Sequence, residues 1–263
     1  MKASNARAAA IPKMAATHNR HPLSCGSFTA ATFSSKAICS SVMPANAADQ
    51  STPGASGNVN GHIIRLREHH DDPAATRFEW DVYLFGAEAG SDLQKVNLSS
   101  LTSDQDFSSP DGLWFSRNTG LCWIQTDDGA YTDVTNCMML AAVPGRVGDG
   151  AQRTLQYPLA AGGTLDVKTF VGKAPKSDTL KRFLVGPVDC EITGICETPD
   201  GKTLFVNIQH PGETISSATV ADPSKYLSHW PANAGYGAGG ANTARPRSAT
   251  IVITKRDGGR IGT

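Results

Sequence analysis

The sequence predicts an all-β fold: a partial β-propeller of about two to three four-stranded blades, with a disordered N-terminal leader. Three observations lead there. The 263 residues include 26 Gly and 15 Pro, and the apolar runs between them are short. Several of those runs alternate apolar and polar residues, the period of a half-buried strand. One stretch also repeats itself further along the chain, as repeat architectures do.

Composition narrows the function. Lys and Arg total 24 against 24 Asp and Glu, so no net field draws the chain to nucleic acid or to an anionic membrane surface, and no basic stripe does so locally. No apolar run approaches the roughly 18 residues that span a bilayer. The cysteines at 25, 39, 122, 137, 190 and 196 show no CxxC spacing and read mainly as small buried hydrophobes.

Residues 1–57 are rich in Ala, Ser, Thr and Asn, and five Lys or Arg precede the first acid, Asp49. Such a leader is either a targeting segment, with Pro44-Ala-Asn-Ala-Ala as a loose small-residue cleavage site, or a disordered tail or misplaced start. No long apolar core or Arg-Arg pair marks an export signal. The domain proper is read as 58–263. From Gly61, HIIRLRE and TRFEWDVYLFGAE alternate as two strands of a meander. His69, His70, Asp71 and Asp72 between them invite a metal reading, but successive strand residues point to opposite faces, which makes them a solvated turn. Ser91–Phe107 reads as a polar connection carrying a formal glycosylation sequon at Asn97-Leu98-Ser99.

The stretch Val188–Glu213, VDCEITGICETPDGKTLFVNIQHPGE, organises the rest. Asp200-Gly201 between Ile192–Thr198 and Thr203–Ile208 is a hairpin signal, since both residues tolerate the positive φ of a tight primed turn. Glu191 stands just before the first strand, where its side chain can leave the ladder and serve a site. Ser109–Asp128 repeats this logic: Gly112-Leu-Trp-Phe aligns with Gly194-Ile-Cys-Glu, 82 residues on (112 to 194). A blade usually takes about 40–50 residues, so a spacing of 82 points to one blade with an insertion. Cys137-Met-Met-Leu-Ala-Ala-Val is its third strand, Lys181-Arg-Phe-Leu-Val its fourth, and about 144–180 the insertion between them. A Gly/Ala/Pro-rich loop, about 214–247, carries Trp230 and Tyr236 and reads as a packed lid. Ser248–Thr254 is a closing β-branched strand.

PDGLWF…LCWIQTDDG, MMLAAVPGRVGDG, KRFLVGPVDCEITGICETPDGKTLFVNIQHPGE and RPRSATIVITKRDGG, in this order, resemble the carboxy-terminal part of PhoX-type alkaline phosphatases (the DUF839 family) over about Gly61–Gly262. The resemblance implies a six-bladed propeller with an iron and calcium cluster on its axis, hydrolysis of phosphate monoesters, and a periplasmic or secreted location. It also implies that Glu191, in DCEITG, is a metal ligand. Asp111, just before the equivalent strand of the preceding repeat, is a second candidate ligand or an ordinary turn residue. His210 is a candidate catalytic group near a phosphate oxygen or leaving group, or a side chain satisfied by backbone. Cys190 beside Glu191 is read as structural, and Asp127 and Asp128 as turn caps. The thiolate, glutamates and arginine expected from earlier blades have no matching positions in 1–57. The chain is therefore expected to be a fragment that is inactive alone, completed by the missing upstream blades or self-associating through its open edges. The alternatives are a non-catalytic β-propeller interaction module and, more weakly, another metal-dependent propeller hydrolase such as a lactonase.

Overall fold

The computed structural model describes residues 60–127, 134–158, 163–232 and 244–263, together with two strands, β1 (Arg20–His21) and β2 (Lys36–Ser40). No α-helix occurs among the described residues; two short 3-10 turns, His69–Asp71 and Pro223–Lys225, are the only helical pieces among them. The chain divides into two compact units, Met1–Pro110 with Val143–Leu180, and Asp111–Ala142 with Lys181–Thr263.

The first unit is built on β3 (His62–Glu68) and β4 (Phe78–Phe85), the antiparallel pair expected from HIIRLRE and FEWDVYLF, but both strands are buried on both faces over most of their length and not half-buried as the alternation implied. β2 lies on the outer side of β3, β1 pairs with β4, and both fall within 1–57. β8 (Ala151–Pro158) and β9 (Thr164–Val171) form an antiparallel hairpin, and β9 joins β4 in parallel at Val82–Val171. The insertion at about 144–180 is thus an excursion from the second unit that adds two strands to the first. Ile64, Leu66, Trp80, Val82, Phe85, Leu98, Leu155 and Val171 form the core. The His69–Asp72 segment is an exposed turn in which the two imidazoles stack at 3.9 Å.

A charge is buried in this unit. Arg65 is 1% exposed; it forks onto Asp81 with Nε at 2.9 Å and Nη2 at 2.7 Å, and onto Asp149 at 2.8 and 3.0 Å. It also donates to the Pro144 carbonyl and lies over the Tyr83 ring at 5.0 Å. Burial alone would favour the neutral guanidine, but the hydrogen bonds and charges of Asp81 and Asp149 outweigh it and raise its pKa. The sequon is buried as well: Asn97 is 0% exposed, and its side chain accepts from Leu101 N and donates to the Leu101 and Ala89 carbonyls. A glycan has no room there.

The second unit holds two sheets. One runs β10 (Leu180–Val185), β7 (Met138–Ala142), β6 (Cys122–Thr126), β5 (Pro110–Phe115), four strands as expected of a blade. The other runs β11 (Glu191–Glu197), β12 (Thr203–Gln209), β13 (Ala249–Thr254), with three strands among the described residues. Neither they nor the first unit's sheet closes on itself among the described residues. Trp123, Cys137, Met139, Ile192, Leu204, Val206 and Ile208 pack as one core, with Trp230 from the Thr214–Arg247 loop resting on it. Residues 233–243 of that loop, including Tyr236, lie outside the described residues.

The β11–β12 turn differs from the expected two-residue primed turn. It spans 198–202, with Thr198 N donating to the Thr203 carbonyl and Gly201 N to the Thr198 carbonyl. Gly201 takes a φ of 71°, while Asp200 instead caps the loop by accepting from Thr198 Oγ1 at 2.6 Å and Lys202 N at 3.1 Å. One left-handed glycine after a right-handed turn closes the longer loop without splaying the strands.

Breaking the Arg65 fork leaves an unpaired buried charge. Asp81→Asn is expected to cost about 3–5 kcal/mol in denaturant unfolding. Asp149→Asn should cost less, because its carboxylate is 25% exposed. Burial works against ionisation of Asp149, but hydrogen bonds from Arg65, Lys173 N and Arg146 N and the Arg65 charge hold its pKa below the usual value. Its contribution is therefore present above the unfolded-state carboxylate pKa and lost as pH falls towards the lower folded value. The stability gap between wild type and Asp149→Asn should close in that acid window.

Candidate metal centre

The site is built at the open end of the β11–β12 ladder, away from its turn. Glu191 is the first residue of β11 and pairs with Gln209, the last of β12. Placing Glu191 just before the strand is thus corrected by one residue: it belongs to the ladder, and its backbone is held. Asp111 is likewise inside β5, as its second residue, and exposed. Behind Glu191, Ile192 and Ile208 are 1% and 2% exposed, so the core fixes both strands where the site begins.

Glu191 is 6% exposed. Its Oε2 accepts from Gln209 Nε2 at 2.6 Å and lies 3.4 Å from His210 Nε2. Desolvation raises its pKa, the charges of Asp127 and Asp111 raise it further, and His210 offsets part of the effect. The structure therefore brings Glu191 and Asp111 into one electrostatic neighbourhood. It adds Asp127, which sequence reading had left as a turn cap at the end of β6. Asp128 lies outside the described residues.

His210 follows β12 with a φ of 33°, a left-handed conformation that a side chain with a Cβ adopts at a cost. Its backbone N donates to Ser248 Oγ at 2.9 Å, and its ring sits between carboxylates, with Nδ1 3.7 Å from Glu213 Oε2. Nδ1 is buried without a hydrogen bond among the described residues. A backbone partner does not satisfy this ring.

Two neighbours are structural. Asp189 accepts from Thr214 N and from Thr214 Oγ1 at 2.8 Å, and its carbonyl accepts from Gly212 N, so it ties the strand entry to the loop. Cys190 is buried, and burial, then the charges of Cys137, Asp189 and Glu191, push its thiol up to about 12. Its Sγ fills the space where a Cβ on Gly186 would stand. That is packing, with no thiolate available near neutral pH.

Gln209 and Asp127 are what sequence reading missed. Extending the Ile192–Ile208 pairing by one step puts Gln209 opposite Glu191, so a register fixed in advance would have found the first. Asp127 depends on β6 lying beside β11, which no local pattern shows.

The donor set suits a hard cation. One buried carboxylate has an oxygen, Oε1, that accepts no hydrogen bond among the described residues, and two further carboxylates add negative field to it. No group of three or more His, Cys, Asp or Glu among the described residues is already gathered as a cage. Without a cation, Glu191 is an expense at neutral pH. Its folded-state pKa is raised, so the carboxyl favours folding most below the unfolded-state pKa and loses that benefit as pH rises through the folded value. In chelator, Glu191→Gln should therefore raise the denaturation midpoint at pH 7 relative to wild type. The difference should shrink as pH falls into the range where wild-type Glu191 is protonated, and thermal melts across pH check this.

Comparison with known proteins agrees with this architecture. The structure is similar to "Pseudomonas fluorescens PhoX in complex with vanadate, a transition state analogue", with a TM-score of 0.56 and 28% identity, over 87% of this chain and 33% of that one. The chain thus spans about a third of the length of that solved PhoX. No curated protein matches it. A sequence model described as "Alkaline phosphatase PhoX" matches residues 6–212, which take in β1 to β12 with Glu191, Gln209 and His210. A match over that much of the sequence, carried through the hairpin that holds the buried carboxylate, means that the chain belongs to the PhoX alkaline phosphatase family.

Proposed function

We propose that the chain contributes part of a metal-assisted phosphate monoester hydrolase, in which Glu191 is a cation ligand at the axis of a β-propeller. The observation that carries this reading is the buried carboxylate of Glu191, held by Gln209 and beside Asp111 and Asp127, within a family whose solved Pseudomonas fluorescens member binds a vanadate transition-state analogue.

Glu191 would be one ligand of the cation, Asp111 and Asp127 would add negative charge in its neighbourhood, and calcium and iron are the metals we propose. When bound, a hard cation supplies charge to offset that of a phosphoryl group as it transfers. The chain's own residues perform the rest. The core residues Ile192 and Ile208 keep Glu191 in place and exclude water behind it. Gln209 holds one of its oxygens, and His210, with Nε2 3.4 Å from the same oxygen, is the candidate to meet a phosphate oxygen or the leaving group. The blades are the second unit's sheets, each bringing the start of one strand, β5 or β11, towards the site. The remaining ligands come from polypeptide beyond these sheets, either upstream blades or another chain.

Hydrolysis of an aryl phosphate by the purified chain, with calcium and iron added, tests the proposal. The expected result is turnover far below that of a complete PhoX, rising when the complementary polypeptide is supplied and abolished by Glu191→Gln in the complemented protein. Unchanged turnover in complemented Glu191→Gln would favour a non-catalytic interaction module.

A further inference from the structure

Of the two sheets in the second unit, one has a fourth strand and the other does not. In the sheet of β5, β6, β7 and β10, the third strand is β7, and with β10 on its outer side Met138, Met139, Leu140 and Ala142 are all 0% exposed. In the sheet of β11, β12 and β13, the third strand is β13, and no strand lies beyond it among the described residues. Alternate residues of an antiparallel strand bond to one neighbour, and the rest turn their N–H and C=O to the other side. β13 pairs with β12 from Ala249 to Thr254, and on its other side these residues make no backbone hydrogen bond among the described residues.

Its side chains are unfinished in the same way. Leu204 and Val206 of β12 are 0% exposed, while Ile253 and Ile251, opposite them on the same face, are only half-buried against the core. On the other face Cys196, Phe205 and Val252 form a cross-strand row, with Val252 61% exposed. A strand edge meant for water is blunted by charge, Pro or a bulge. The edge strand β10 carries Lys181 and Arg182; β13, ATIVIT, has no charge, no Pro and an unbroken register.

Charge indicates what covers it. Arg245 stands before β13 and Arg256 after it, both exposed and neither with an ion pair or side-chain hydrogen bond among the described residues. Lys255, by contrast, is already 3.3 Å from Asp257. A second copy pairing antiparallel would set the Arg256 end of each β13 beside the Arg245 end of the other, like charge against like. A strand with a carboxylate at each end meets both arginines instead.

We propose that the free edge of β13 is a strand-addition site for an extended segment of another polypeptide, apolar where it flanks Ile251 and Ile253 and acidic at both ends. Main-chain hydrogen bonds supply the pairing, apolar side chains finish the cover of the core, and the arginines select the ends. The six residues of β13 span about 20 Å at about 3.4 Å each, so a segment of about ten residues reaches both arginines. This edge is across the sheet from β11, which makes the site separate from Glu191.

The test uses the full chain and the synthetic peptide EETVTVTVEE, followed by fluorescence anisotropy. Saturable binding should be about tenfold tighter than for KKTVTVTVKK at low ionic strength, and the difference should fade as salt is added. Arg245→Glu combined with Arg256→Glu, both at exposed side chains, should reverse that preference. N-methylation of alternate peptide residues separates strand pairing from charge attraction. One methylated set blocks the edge that meets β13 and should abolish binding, whereas the other faces solvent and should leave it. The same effect from both sets would overturn the proposal, as would a peptide preference that the double variant leaves unreversed. A chain that sediments as a dimer, becomes monomeric with Val252→Lys and does not bind the peptide would assign the edge to a second copy and overturn it as well.

Discussion

Taking a charge out of water is the constraint on which both units turn. An ionised group at a few percent exposure is stable only if something of opposite sign, or enough hydrogen bonds, replaces its hydration. The first unit meets the demand internally: Arg65 has two carboxylates, a carbonyl and an aromatic face around it. The second unit leaves the demand open. Glu191 has one amide and one imidazole for company, and the charges of Asp127 and Asp111 act against its ionisation. The same physics makes Arg65 a structural lock and leaves Glu191 with its ionisation opposed.

The hairpin that carries Glu191 is stiffened at several points. A register shift between Thr193 and Ile195 places Gly194 in a bulge with a φ of 48°, where a Cβ would collide with Asn207. Gln125, packed over Gly112, donates to the Gly194 carbonyl that the bulge turns aside. At the turn end, Ser116 Oγ donates to Glu197 and Asn118 packs against Gly201. The two repeats that align in sequence thus brace each other, through Gln125 on Gly194, Ser116 on Glu197 and Asn118 on Gly201. A site at the end of such a ladder inherits its precision from a packed sheet and not from a loop.

The strands were legible because alternation is a local property. HIIRLRE, FEWDVYLF, TLFVNIQ and the Ala249–Thr254 strand all lie where their patterns place them. β8 and β9 were hidden by their own chemistry: of the apolar residues in β9, Leu165 is 52% exposed and Val171 is at the core, so the apolar pattern does not mark one buried face. The Arg65 pairing was not legible because its second partner, Asp149, lies in the insertion, and nothing local announces a pairing across 84 residues. Glu191 was visible because a carboxylate stood beside a clear hairpin. Gln209 was not, since a turn centred on Asp200-Gly201 puts His210 opposite Glu191, and only the bulge between Thr193 and Ile195 moves the pairing by one residue to Gln209.

The Arg65 fork also orders events along the folding route. Asp81 is 16 residues from Arg65 and Asp149 is 84. The first contact closes with the β3–β4 hairpin, on the microsecond scale of local strand pairing. The second must wait for a far larger loop to close and for β8–β9 to form and dock. Until then, the guanidinium is half-neutralised at the edge of an unfinished core. The fold is therefore closed by the capture of residues 144–149, a non-local step that follows the local β3–β4 hairpin.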